Sequence, residues 1–140
     1  FGPRALGNRS LLADPRKIST KHQVNAIKRR QKFRPFAPAI LEEYCTDYFE
    51  MPGHSRYMSY VYQCKRPHDI PAVLHVDNSA RVQTVPESSE SILREILEVW
   101  YEHTGCPVLL NTSLNIRGMP MVNDFCDALN FSAKYRVDVY

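Results

Sequence analysis

The chain has 140 residues, 44% of them hydrophobic, which is enough for one domain with a real core. No apolar run approaches the ~20 residues that cross a bilayer, which excludes a membrane-spanning helix. The net charge of +3 conceals a polarity: residues 1–40 hold ten Lys and Arg against Asp14 alone, whereas the remaining hundred hold eight against fourteen acids. Such a distribution suits a face that meets an anion (a phosphate-bearing small molecule, a nucleic acid or an acidic partner domain) and equally a plain solvated face.

The chain opens inside a Gly-rich stretch, FGPRALGNRS, with no initiator Met and no signal-peptide pattern, so a piece of a longer polypeptide is expected. SLLADP reads as a short strand ending in an Asp-Pro turn. STKHQVNAIKRR predicts a helix from Ser19 to Arg30, capped by Ser19 or Thr20. Val24 and Ile27 form its thin apolar stripe, and its cationic last turn suits the helix dipole. Pro35 and Pro38 forbid helix, so FRPFAPAIL is extended and carries Ala39 to Leu41 into the core. EEYCTDYF is ambiguous and reads as a short helical turn, and YMSYVYQC alternates as a strand does. AVLHV and ARVQTV, joined by Asp77, Asn78 and Ser79, predict a hairpin. SSESILREILEVWYEHTG is the clearest helix, capped by Ser88 or Ser89 and stopped by Gly105. Ile92, Leu93, Ile96, Leu97 and Trp100 make its buried face. PVLLNT reads as a buried strand, a helix follows from Asn123 or Asp124 to about Tyr135, and VDVY closes as a strand. Hairpins mixed with helix crossovers predict one α/β (α+β) domain, residues 1–140, around a mixed sheet.

Cys45, Cys64, Cys106 and Cys126 lack CxxC spacing, so reduced, buried thiols in a cytoplasmic protein are expected. The five histidines form no HxxxH or HExxH pair, and no GxSxG elbow, Walker loop or Ser/His/Asp arrangement occurs. The signal lies in donors instead. Asn111, Thr112, Ser113, Asn115, Arg117 and Gly118 follow a buried strand, where open α/β sheets bind ligands. Hydroxyl, amide and guanidinium groups there suit a phosphate or carboxylate, unless they only satisfy their own turn. Lys28 and Arg30 end a helix, and Arg34 is stiffened by Pro35, which helps it clamp a small anion. Phe33 and Phe36 interleave with these cations as nucleic-acid stacking platforms do, although their prolines favour a place in the core. Arg81 shares an expected strand face with Gln83 and Val85. Many anion donors and no obvious nucleophile fit phosphoryl or adenylyl chemistry.

Taken together, FGPRALGNRSLLADPR, NAIKRRQKFRPFAPAILEE, IPAVLHVDNSARVQTV and TGCPVLLNTSLNIRGMPMV resemble the carboxy-terminal domain of the NodU/CmcH-type O-carbamoyltransferases. The four blocks run in family order over nearly all of the chain. The chain departs from the family at VDNS, where a Gly-Thr turn is usual, at SLN, which replaces a Phe-containing version, and at Met119, where an acid is usual. The resemblance implies a YrdC-like twisted mixed sheet with flanking helices and an electropositive concave face. It further implies binding of carbamoyl phosphate and ATP and formation of carbamoyl-adenylate, with release of phosphate and pyrophosphate. The implied partner is an amino-terminal domain of the actin/hexokinase superfold (ASKHA), with its own histidine-bound metal, which passes the carbamoyl group to an acceptor hydroxyl. Lys28 and Arg30 match the family's Lys-x-Arg signature, and Ser113 and Asn115 its Ser-x-Asn signature. Lys28, Arg30, Arg81 and Arg117 are then the expected catalytic residues. Arg4, Asn8, Arg9, Ser10, Arg34, Asn111, Thr112, Ser113, Asn115 and Gly118 are the expected substrate- and ATP-binding ones. Mg²⁺ would accompany ATP on phosphate oxygens and water, so no protein metal ligand is assigned. The alternatives are an RNA-binding module built on the basic first forty residues and a non-catalytic docking domain.

Overall fold

The computed structural model describes residues 7–139, so Arg4 and Tyr140 lie outside the described residues. The strands are β1 (Ser10–Ala13), β2 (Ala37–Leu41), β3 (Val61–Gln63), β4 (Ser79–Arg81), β5 (Gln83–Val85) and β6 (Val108–Ser113). The helices are α1 (Ile18–Ile27), α2 (Cys45–Tyr48), α3 (Ile92–Thr104) and α4 (Phe125–Tyr135), with short 3-10 turns at Glu42–Tyr44 and Pro71–Val73.

The central sheet has the order β1-β6-β2-β5. β6 runs antiparallel to both β1 and β2, while β5 runs parallel to β2, so the sheet is mixed as expected. β2 is APAIL and wholly buried, since it has neighbours on both edges and side chains packed on both faces. Its Pro38 lacks an N–H, and β5 pairs with β2 only from Ala39 onward, so that edge makes no demand on the missing donor. Alternation then sorts the core. Ile40 joins Leu11, Val108 and Leu110 on one face, while Ala39 and Leu41 join Leu109, Val85 and the α3 residues Leu93 and Leu97 on the other.

Several boundaries differ from expectation. α1 starts at Ile18 after an extended Lys17 that makes no side-chain cap, and it ends at Ile27. The cations Lys28, Arg29 and Arg30 therefore lie beyond the helix. Arg29 takes the left-handed conformation (φ 51°), and the Arg30 N–H turns back to the Asn25 carbonyl. Lys21, nearly buried, donates to the Leu74 carbonyl at 2.8 Å and ties α1 to the Pro71–Val73 turn. That contact helps explain why the hairpin does not form. Pro71 starts a 3-10 turn, the Leu74 carbonyl is taken, and residues 74–76 join no ladder. The chain instead makes a tight turn, His75 N–H to the Ser79 carbonyl at 2.8 Å, and β4 pairs with β3 in a separate two-stranded sheet. Strand preference is met by a distant partner rather than the near one. β3 keeps only three residues of the expected strand.

In α3 the cap is Ser91, whose hydroxyl accepts from the Leu93 N–H, and Gly105 stops the helix at φ 67°. The buried face is Leu93, Arg94 and Leu97, whereas Ile92 and Ile96 are turned out. Arg94 replaces them by reaching Glu43 with two nitrogens (2.9 and 2.8 Å) and Glu98 with its Nε (2.7 Å). The two bonds from Arg94 to Glu43 hold the Glu43 carboxyl below the usual carboxylate range. α4 begins after Asp124, as expected, but residues 137–139 make no strand. Cys45, Cys64 and Cys106 are buried free thiols, while Cys126 is exposed. No helix among the described residues is long and apolar enough to cross a membrane.

Candidate functional site

The two polar segments at opposite ends of the sequence become neighbours because β1 and β6 pair. Ser10 lies opposite Ser113, and one step further the Leu114 N–H donates to the Arg9 carbonyl. Lys28 then closes the group from a third direction. Its ammonium, almost fully buried, donates to the Ser113 carbonyl, the Asn115 carbonyl and the Asn115 Oδ1, the last two at 3.0 Å. Ser113 Oγ donates to the same Oδ1 at 2.7 Å. In return the Arg117 N–H donates to the Lys28 carbonyl at 3.1 Å. An ammonium has three hydrogens, and here three converging oxygens take them. Lys28 therefore acts first as the bolt that holds the β6 loop against the end of α1.

The loop itself is shaped for projection. The Met119 N–H reaches the Ile116 carbonyl across a turn whose third residue, Gly118, has φ +79°, a conformation that favours glycine. Ile116 is buried beneath, and the Arg117 side chain stands in solvent with no ion-pair partner among the described residues.

Arg30 and Arg34 are held by Asn25, which sequence reasoning did not single out. Asn25 is completely buried. Its Nδ2 donates to the Lys32 and Arg34 carbonyls (3.2 and 3.1 Å), and its Oδ1 accepts from Arg30 Nε at 2.6 Å. Arg30 also donates to the Pro35 carbonyl, and its guanidinium lies 4.1 Å over the Phe36 ring. Burial first, and then the neighbouring Arg34, pull the Arg30 pKa down to about 10. A cation held this way would be relieved by a bound anion. Phe36 is core, as expected, but Phe33 is 72% exposed beside Lys32 and Arg34.

The remaining expected residues divide. Arg9 donates to the Val122 carbonyl at 3.3 Å and so holds the segment that follows the loop, while Asn8 is exposed. Ser10 Oγ is buried and has no hydrogen-bond partner among the described residues, a condition that costs about 1–3 kcal/mol unless a ligand or water meets it. Asn111 shares the sheet face of Ser113 and donates from Nδ2 to Gln83 Oε1 at 2.9 Å, passing over β2 where its side chains are only alanines. Thr112 alternates to the opposite face. Arg81 is exposed on β4, and the chain changes sheets at Val82, so Arg81 and Gln83 do not share the face expected of them. Nothing joins Arg81 to the Lys28 group among the described residues, and Arg4 lies outside them. Among the described residues no three His, Cys, Asp or Glu side chains gather as a metal site.

The family model described as "Carbamoyltransferase C-terminus" matches residues 1–140. The chain belongs to that family. The carbamoyltransferase C-terminal domain described here is 43% identical over 135 residues to the nodulation protein NolNO of Sinorhizobium fredii, covering 92% of this chain and 20% of that protein. It is 41% identical over 135 residues to the nodulation protein NolO of Bradyrhizobium diazoefficiens, covering 92% and 25% respectively. With nodulation protein U of Rhizobium tropici it shares 44% over 121 residues, 84% of this chain and 21% of that protein. The chain thus spans a fifth to a quarter of the length of these relatives. The Asn25 hub carries no sequence signature, because an asparagine in a helix reads as a surface residue until the returning loop is in place.

Proposed function

We propose that this carbamoyltransferase domain binds carbamoyl phosphate and ATP where β1, the loop after α1 and the loop after β6 meet, and joins them into carbamoyl-adenylate. Carbamoyl phosphate yields phosphate to water, the freed carbamate oxygen attacks the α-phosphorus of ATP, and pyrophosphate leaves. One water is consumed and every atom is accounted for. Another domain of the same polypeptide, of the kind implied by the longer relatives, then passes the carbamoyl group to an acceptor hydroxyl.

The observation that carries the reading is the convergence on Lys28, which gathers the Ser113–Asn115 loop, with Arg117 following, against β1 and the Arg30–Arg34 loop. Arg30, Arg34 and Arg117 are the cations available to phosphate oxygens, and the Ser10 and Ser113 hydroxyls supply neutral donors. Mg²⁺ on the ATP phosphates would neutralise charge during pyrophosphate departure. Such an ion would be held by phosphate oxygens and water rather than by a protein cage.

Arg117→Ala tests this directly, because its side chain supports no part of the fold. Titration calorimetry should show carbamoyl phosphate or ATP bound more weakly by about 1.5–3 kcal/mol, the range for a charge-assisted hydrogen bond. Unchanged affinity for both ligands in a folded variant refutes the assignment. Exposed Phe33 beside Lys32 and Arg34 favours a second reading, single-stranded nucleic acid, which predicts affinity falling steeply with salt. That reading leaves the β6 loop without a role.

A further inference from the structure

A cavity of about 350 Å³ opens between the start of α1, the loop at Lys32 and Phe33, and the segment from Pro71 to Asn78. None of the residues assigned above to the phosphates lines it, and Lys21 stands two helical turns before Lys28, roughly 10 Å away along the axis. Its walls carry two kinds of group. Ile18, Phe33 and Val76 are 50%, 72% and 97% exposed, so three of the large apolar side chains that the fold leaves uncovered gather at one cavity, where Pro67, Pro71 and Leu74 complete the apolar part. The polar part is Lys21, His22, Lys32, His75 and Asn78, with no Asp or Glu among the described residues. Asp69 and Asp77, which flank lining residues in the sequence, are taken by Arg66 and by the hydroxyl and N–H of Ser79.

Lys21 sets the chemistry of this cavity. It is only 9% exposed and its ammonium donates to the Leu74 carbonyl, yet no carboxylate pairs with it among the described residues. An ammonium carries three hydrogens, so two donor positions remain beyond that bond. Burial pushes its pKa below the ordinary lysine value, a change that an arriving anion would reverse. A nearly buried cation without a counter-ion is the costly half of an ion pair.

We infer that this cavity binds a small carboxylate with a flat or branched apolar body, its head on Lys21 and Lys32 and its body against Ile18, Phe33 and Val76. The inference is independent of the carbamoyl-adenylate reading. The volume lies near the lower end of the roughly 300–1,000 Å³ of small-molecule sites, which suits a compact ligand. A carboxylate fits better than a phosphate, because one charge facing one nearly buried ammonium gives up less hydration on entering a largely apolar wall than two charges do. A ligand with no charge would leave Lys21 without a counter-ion.

Lys21→Met also removes the tie to Leu74, so Lys32→Gln and Phe33→Ala, both at exposed positions, carry the test. Amide chemical-shift titration of the isotopically labelled chain with phenylacetate, its uncharged counterpart phenylacetamide and phenyl phosphate reads both place and affinity. Phenylacetate should move the amides of residues 18–22, 32–33 and 74–78 and leave those of 113–118 in place. It should bind at least about fivefold more tightly than phenylacetamide. Each variant should weaken phenylacetate about three- to tenfold, Lys32→Gln by narrowing the difference between acid and amide and Phe33→Ala by weakening both alike. Equal affinity for acid and amide, no shift at about 20 mM ligand, or binding untouched by both variants overturns the carboxylate site. Tighter binding of phenyl phosphate overturns it in favour of a phosphate head group. Tighter binding of an acidic peptide bearing one phenylalanine overturns it too, and makes the cavity a docking groove.

Discussion

Asn25→Ala removes the support beneath the loop that carries Arg30 and Arg34. The change deletes two hydrogen bonds to carbonyls and one from a guanidinium, all within a side chain that has no exposure. Neutral bonds contribute about 0.5–1.5 kcal/mol each and one to a charged group about 1.5–3 kcal/mol, a gross loss of roughly 2.5–6 kcal/mol. Lys32 and Arg34 are exposed, so their carbonyls recover water when the amide goes, whereas the half-buried Arg30 recovers less. The expected net loss is ~2–4 kcal/mol. Urea unfolding followed by the emission of Trp100, the single tryptophan, reads this as a midpoint lowered by about 1–3 M at unchanged slope. Asn25→Asp keeps the acceptor for Arg30 and should lose less than alanine does. A loss below about 0.5 kcal/mol in Asn25→Ala would mean that the loop holds its shape without the hub, and the argument for a prearranged Arg30–Arg34 clamp would fall.

Lys28→Met keeps the apolar stem but strips the donors from three oxygens, so amides of residues 114–122 should exchange hydrogen at least tenfold faster, and Lys28→Arg should not restore them because a planar fork cannot meet that convergent set. Equal exchange in wild type and Lys28→Met would remove Lys28 as the bolt. Gly7→Ala places a Cβ 2.9 Å from Leu93 Cβ at a backbone φ of +95° and should lower stability by about 1–3 kcal/mol in thermal unfolding. Stability within 0.3 kcal/mol of wild type would show that the segment shifts freely. Glu43→Gln should cost about 0.5–1.5 kcal/mol at pH 7, discounted because the carboxylate is partly exposed. Because the folded state lowers the Glu43 pKa, its contribution is complete above the ordinary glutamate pKa and disappears as pH falls through the lowered value. The variant and wild type should therefore converge in acid, and a difference that persists at low pH would contradict the ion-pair origin.

Periodicity and breakers located most elements: the extended run marked by Pro35 and Pro38 that becomes β2, the apolar run of β6, the long amphipathic α3 and the Asp124 start of α4 were all legible. Errors came where a local pattern had a stronger distant competitor. ARVQTV resembles half of a hairpin, yet β4 pairs back to β3 in a sheet of two strands and β5 adds to β2 at the edge of the central sheet, so neither pairs across Asn78. Ile92 and Ile96 carry the hydrophobic signal of α3, yet the buried side includes Arg94, since Glu43 lies where only the tertiary fold could bring it.

The residue types of the site, their basic-then-acidic ordering along the chain and the family blocks needed no coordinates, because charge, donor inventory and backbone restriction are properties of the residues themselves. Which of those residues meet was decided by strand pairing. The β1–β6 register sets Ser10 opposite Ser113, Lys28 fastens the late loop to α1, and the change of sheet at Val82 separates Arg81 from Gln83. Contacts of this kind span about a hundred residues, and no local preference encodes them. They follow from the one arrangement in which the two faces of β2 are both buried and the polar strand ends remain together at the rim.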